Sequence, residues 1–374
     1  MENNLEEEKL RERSPRSTKP SFRNYKCYAI GIAYCGEEYF GSQIQPGDLI
    51  TVEGEVQRSL VSAGLIEASL LNEHKADFFW SRAARTDRGV HACMNVISCR
   101  LDETKIKHSS SGVPISTKNP LCISQGDFIE HLNKFLPESI RTIFINRVTM
   151  RFDARLNCER RKYEYYLPNM IDGIKIDIEK LKTEMNKYLG TKKFHNFTKS
   201  VKYSEKQAVR HIAGIEVNHV YDDKFICITL TGQSFLLNQI RKMIGLALEV
   251  VLGLAPSDAI EQAFTNKTVH VHMVPGEGLL LDSMNFKGYD LHRCGDYTVT
   301  TPFSWIIGEE GEADMLPIVE AQVLAFKNKL IPEKILAKLA SLLEFWNRKI
   351  VLAHSWESRH SESAKPQEYE DLVE

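Results

Sequence analysis

Chemistry concentrates in the segment Ser81-Arg82-Ala83-Ala84-Arg85-Thr86-Asp87-Arg88-Gly89-Val90-His91-Ala92. A single carboxylate, Asp87, stands among Arg82, Arg85 and Arg88, and the glycine two residues on can take a positive φ. Cations at this spacing favour the ionised carboxylate and restrain it, which suits a nucleophile. A turn stiffened by an ion pair would use the same residues, so residue types alone leave both readings open. Arg241 is the second signal. It falls inside the otherwise apolar run 235–252, where a cation is costly unless an anion meets it.

Two basic stretches accompany these residues. Arg147, Arg151, Arg155, Arg160, Arg161 and Lys162 crowd one segment, and Lys192, Lys193, Lys199, Lys202, Lys206 and Arg210 alternate with Phe194, Phe197 and Tyr203 in another. Such patches fit phosphate contacts to folded RNA, although each lysine taken singly reads as a solvated side chain.

The elements that must carry these residues fall into two similar series. Residues 25–35 read as a buried strand. Val56, Leu60, Val61 and Leu65 lie on one helical face, and strands follow at 77–84 and 93–101 with the charged turn 85–89 between them. A helix is predicted behind Ser124, with Asp127 in capping-box spacing, and a strand at 141–148. The second series has a strand at 162–167, a helix at 176–189, strands at 211–217 and 225–230, helices at 235–252 and 256–264, and a strand at 278–284. Two β-α-β-β-α-β halves predict an α+β fold: duplicated ferredoxin-like units joined into one continuous, mostly antiparallel sheet with helices on one face and, between the halves, a cleft suited to a large ligand. The expected organisation is a disordered tail over 1–22, an N-terminal half over 23–150 and a C-terminal half over 151–290. An appended region with a helix near 332–346 then covers 291–355, and an acidic tail 356–374. The Ser- and Gly-rich stretch 109–118 is a further candidate for disorder.

The 374 residues are 43% hydrophobic, enough for a sizeable core. Forty-eight basic residues balance 50 acidic ones, so attraction to a polyanion must come from local clusters. The eight cysteines form no CxxC pair, so no structural zinc is expected. No apolar run reaches the length of a membrane span, and a soluble intracellular protein is expected. Glu6, Glu7 and Glu8 argue against a mitochondrial presequence; Arg11, Arg13, Arg16 and Lys19 read as a solvated tail or a weak nuclear address, so the expected location is the nucleus, the cytoplasm or both, with a mitochondrial pool left open.

The segment Ala84–Ala92 resembles the ARTDxGVHA motif of the TruA family of pseudouridine synthases. Thr51-Val52-Glu53-Gly54-Glu55 resembles that family's first-helix entry, Phe152-Asp153-Ala154-Arg155 its FxAR box, and Arg161-Lys162-Tyr163-Glu164-Tyr165 its RxYxY strand. Residues 235–245 are similar to its FLxxxIRxMxG helix. The matches run in order across roughly residues 25–286. The appended region and the Ser-rich insertion are more similar to eukaryotic members than to compact bacterial ones; Ala84, where bacterial members usually carry Gly, and Phe40-Gly41-Ser42-Gln43 depart from the pattern.

The resemblance implies an isomerase that turns uridines of structured RNA into pseudouridines without metal or organic cofactor. Its partner would be tRNA, or another structured RNA, and it would act as a monomer away from membranes. Asp87 would be the nucleophile, attacking ribose C1′ or uracil C6. Tyr163 would lie against the uracil and take part in removing the C5 proton, and Arg241 would hold the Asp87 carboxylate ionised and aimed. Arg85 would assist flipping of the uridine from its stack, which costs a few kcal/mol. Arg82, Arg88, His91, Arg155, Arg161 and Lys162 would contact RNA. A non-catalytic RNA-binding protein of the same fold would keep the basic clefts but gives no reason to hold Asp87, Tyr163 and Arg241 together.

Overall fold

The computed structural model describes residues 24–72, 78–102, 125–199, 201–293, 316–352, 356 and 360. The basic N-terminal tail, the 109–118 stretch, the Ser124 cap and the acidic C-terminal tail lie outside the described residues.

The first half supplies the strands β1 (Tyr25–Tyr34), β2 (Ser81–Arg82), β3 (His91–Asp102) and β4 (Ile140–Arg147), of which β1 and β4 are rich in aromatic and β-branched residues. The second half supplies β5 (Arg160–Pro168), the small hairpin β6 (Met170–Ile171) and β7 (Ile174–Lys175), then β8 (Gly190–Lys193), β9 (Val209–Val220), β10 (Phe225–Gly232) and β11 (Leu279–Asn285). The main sheet runs β4-β1-β3-β11-β5-β10-β9-β8, with β2 also paired to β3. Reading β4-β1-β3-β2 and then β11-β5-β10-β9 gives the same ferredoxin-like order twice, so the architecture is α+β with duplicated halves sharing one sheet. The junction is parallel, Leu280 opposite His91 and Leu281 opposite Ala92, whereas the neighbouring pairs are antiparallel.

Helices Gln125–Asn133 and Ile178–Asn186 pack on β4 and β9, and the latter also packs on helix Gln239–Val251. Beyond β11, helices Leu316–Leu330 and Ala337–Leu352 are joined by a π-helical turn at Ile331–Leu336. They lie against the sheet where Lys327 reaches Glu164 at 2.7 Å and Asp282 at 2.5 Å. Tyr166 donates to Glu164 at 2.5 Å on that same face. Burial works to raise the Asp282 carboxyl, but Lys327 and then Lys162 overcome it and hold the carboxyl below its ordinary value.

Several expected elements are shorter than the apolar pattern suggested: the 176–189 helix spans Ile178–Asn186 and the 256–264 helix only Ala259–Gln262. The 77–84 strand reduces to Ser81–Arg82, because Phe79 takes a left-handed φ of 53° and bends the chain just before it. The 235–252 helix begins only at Gln239, after a turn closed by Gln239 N–H donating to Leu236 O at 3.1 Å.

Candidate active site

The seam between the halves opens beside β3. Its residues 97–98 pair with β2 and its residues 91–92 with β11, so the chain from 83 to 90 must loop out where the partner strand changes. Asp87 sits on that loop, and the main chain on either side of it is tethered at several points. Ala83 N–H donates to Val96 O at 2.8 Å. The Asn95 side chain substitutes for a strand neighbour, accepting from Ala84 N–H at 3.3 Å and donating to Ala84 O at 3.0 Å. Buried Ser42 clamps Thr86 in both directions: Thr86 N–H donates to its Oγ at 2.9 Å, and its own N–H donates to Thr86 O at 3.0 Å. Gly89, with φ of 78°, turns the chain so that Val90 N–H reaches Asp87 O at 3.2 Å. A loop held at this many points presents its carboxylate in one place.

The cleft above it has a volume of about 610 Å³ and is lined by Arg85, Asp87, Arg155, Tyr163, Phe235 and Arg241 among others. Arg241 lies 3.8 Å from the Asp87 carboxylate and donates from Nε to Val274 O at 2.8 Å. The Asp87 side chain retains 20% exposure and faces the cleft. Burial pushes its carboxyl above the ordinary value, while the Arg241 guanidinium and the Asn238 main-chain N–H pull it back down. Tyr163, on β5, is buried edge-on against Phe235 with ring centroids 5.3 Å apart, and burial drives its phenol well above the ordinary value.

The arginines that flank Asp87 in sequence take other roles. Arg82 pairs with Glu53, which is buried in the first turn of helix Val52–Ser62. Arg88 lies over the Phe40 ring, 4.8 Å from its centroid. Arg85 and Arg155 are exposed on the cleft wall, where a polyanion can meet them. The compensating cation for Asp87 thus comes from a residue remote in sequence rather than from its neighbours.

Three expected RNA contacts need correction. His91 is fully buried at the start of β3, where Nδ1 accepts from Gly36 N–H at 3.2 Å; burial pushes its pKa down to about 4, so it packs as a neutral ring away from the cleft. Gly36 allows this approach, since a Cβ there would sit 2.1 Å from Val90 O. Lys162 alternates with Tyr163 along β5 and so points to the opposite face, 3.4 Å from Asp282. Arg161 faces the cleft side, but its guanidinium makes five hydrogen bonds, all to main-chain carbonyls of Ala83, Arg155, Cys158 and Gln233. It ties the Asp87 loop to two other cleft walls and has no donor left for phosphate. Arg161→Lys should therefore lower stability by about 2–4 kcal/mol, because an ammonium cannot span four acceptors that then remain buried. Urea unfolding followed by circular dichroism checks it; an unchanged midpoint would remove the bracing role.

A family sequence model described as tRNA pseudouridine synthase matches residues 185–287. The tRNA pseudouridine synthase A of Methanosphaera stadtmanae is 31% identical over 264 residues, covering 69% of this chain and 84% of that protein. The chain belongs to the tRNA pseudouridine synthase family. The human pseudouridylate synthase 1 homolog is 30% identical over 300 residues, with 75% of this chain and 64% of that protein covered. For tRNA pseudouridine synthase 1 of Saccharomyces cerevisiae the figures are 27% over 356 residues, 70% and 61%. The chain thus spans somewhat less than two thirds of these two relatives.

Within this tRNA pseudouridine synthase family member, the supports of the Asp87 loop were the residues least visible beforehand. Asn95 is a buried polar residue in the apolar strand His91–Asp102, and such a residue signals a partner without saying which. Ser42 lay in the segment that departs from the family pattern, and its clamp spans 44 residues of chain.

Proposed function

We propose that this chain isomerises uridines of structured RNA, chiefly tRNA, to pseudouridine with Asp87 as the nucleophile. One observation carries the reading: a partly exposed carboxylate, pinned on a rigid loop at a cleft, lies 3.8 Å from Arg241 with Tyr163 on the adjoining wall. Family membership and the names of the relatives support the substrate class. In the reaction the C1′–N1 bond breaks, the uracil turns, C1′ bonds to C5, and the proton leaving C5 is balanced by one gained at N1. No electron enters or leaves. Asp87 holds the intermediate by attack at C1′ or C6, and buried Tyr163, which stays protonated, packs against the ring and places it. Arg85 and Arg155 contribute phosphate contacts at the mouth of the cleft, with recognition by shape more than by base edges.

The test is incubation of unmodified tRNA transcript with purified, chelator-treated protein and nucleoside analysis by mass spectrometry. Pseudouridine should accumulate over many turnovers. Binding of tRNA with no pseudouridine would favour the non-catalytic reading of the same fold.

A further inference from the structure

Phe78 and Trp80 stand in front of β2 with their rings stacked, the centroids 5.3 Å apart and the planes 27° from parallel. Phe79 between them takes a left-handed φ of 53°, a conformation that a residue with a Cβ adopts only at a cost and that recurs at functional positions. The bend brings the rings on either side of it together. Phe78 is buried in the core, whereas Trp80 is partly exposed and lines the active-site cleft. The indole therefore rests on a fixed aromatic support and offers a large aromatic surface to the same cleft that carries Arg85 and Arg155.

The chain beyond the indole is fixed as firmly. Ser81 and Arg82 pair with Ser98 and Ile97 of β3. The Ser81 hydroxyl donates to Asp153 Oδ1 at 2.8 Å and accepts from Arg155 N–H at 3.4 Å, and Asp153 caps the short helix Ala154–Asn157 that carries Arg155. Trp80 from the first half and Arg155 from the second are thus held close through Ser81, an aromatic ring beside an exposed cation. That pair suits one nucleotide of unpaired RNA: the base stacks on the ring and the guanidinium meets a phosphate. We propose that Trp80 and Arg155 form a subsite for an unpaired nucleotide of the substrate RNA other than the target uridine, whose uracil belongs at Asp87 and Tyr163. The proposal rests on the reading of the cleft as an RNA site. Stacking is indifferent to base identity, so the subsite selects substrates in which a nucleotide near the target is unpaired, whatever its base.

The experiment measures binding of an unmodified tRNA transcript to the full chain and to its Trp80→Leu, Trp80→Phe and Arg155→Gln variants. Leucine keeps an apolar side chain against Phe78 but has no aromatic face, so affinity should fall about five- to hundredfold, the loss of one stacked base. Phenylalanine keeps a ring and should stay within about threefold of the parent. The slope of log affinity against log salt should be unchanged in Trp80→Leu and shallower by about one in Arg155→Gln. Trp346 and Trp356 are buried, so titration with the transcript should quench the tryptophan emission of the parent more than that of Trp80→Phe. A folded Trp80→Leu protein with parental affinity would overturn the proposal, and so would an equal quench in the parent and Trp80→Phe. Equal losses in the leucine and phenylalanine variants, each with a lowered melting temperature, would make Trp80 a packing residue and overturn it as well. A parental salt slope in Arg155→Gln would remove the phosphate half of the subsite. If the leucine variant does not fold, the quench comparison decides alone. Failure of the parent itself to bind the transcript is a separate result, which would overturn the RNA reading of the cleft together with the subsite.

Discussion

Asp87→Asn is expected to reduce pseudouridine formation by about 10⁴-fold or more while leaving a folded protein that still binds tRNA. The magnitude follows from removing the nucleophile of a covalent mechanism, a loss that binding interactions cannot make good. The effect on stability has the opposite sign from that of a structural ion pair. The folded-state pKa of Asp87 is raised, so its ionised form is disfavoured by the fold, and that cost is present at neutral pH and fades as pH falls. An amide carries no such cost, and the melting temperature should stay level or rise slightly. Affinity for tRNA should hold or tighten, since one negative charge leaves a cleft walled by Arg85 and Arg155. A melt, a binding titration and a nucleoside assay on this variant decide the question. A folded Asp87→Asn protein with normal turnover would end the nucleophile assignment, and a lowered melting temperature with activity following the folded fraction would make Asp87 structural.

Arg241→Met should lower kcat/KM at neutral pH by about 10²- to 10⁴-fold and, more diagnostically, shift the pH profile. Burial and Arg241 act on Asp87 in opposite directions, and removing the guanidinium leaves burial and the single N–H of Asn238. The carboxyl pKa must then rise. Activity that needs the anion is lost as pH falls through that value, so the acid limb moves to higher pH and part of the lost rate returns on alkaline titration. The methionine fills the space of a side chain whose other described contact is a single carbonyl, Val274 O, so the fold should survive. Arg241→Lys should recover part of the rate and shift the limb less. An acid limb that stays in place in folded Arg241→Met protein would show that the pair at 3.8 Å does not govern Asp87.

The doubled α+β order was legible because each half carries its own hydrophobic periods, which are local properties of the chain. The Arg241 signal was legible for a similar reason: a cation in an apolar helix is costly wherever the helix goes, so it demands a partner. What could not be read was direction. Arg161 and Lys162 are adjacent and equally basic, and only pairing of β5 with β10 and β11 decides that one faces the cleft loops and the other the back of the sheet. His91 sits in the motif beside the nucleophile, yet it falls where β3 joins β11 and is enclosed on both sides. The three arginines beside Asp87 suggested its counter-charges, but residues neighbouring in a turn point apart, and Glu53 and Phe40 engage two of them. The start of the 239–251 helix was misplaced because hydrophobic period does not register the left-handed Asn238 in front of it.

The contact of Lys327 with Glu164 and Asp282 bears on how far this chain can be shortened. Glu164 follows Tyr163 directly, and Asp282 lies on the strand that joins the two halves. A minimal catalytic core cut after β11 would leave these carboxylates on an uncovered sheet without Lys327, with only Lys162 as an ammonium beside Asp282. Their repulsion would fall on the strand that carries Tyr163. A trimmed version would gain from a neutral residue at one of the two acids, so the last helices are better regarded as a wall of the sheet than as an accessory to it.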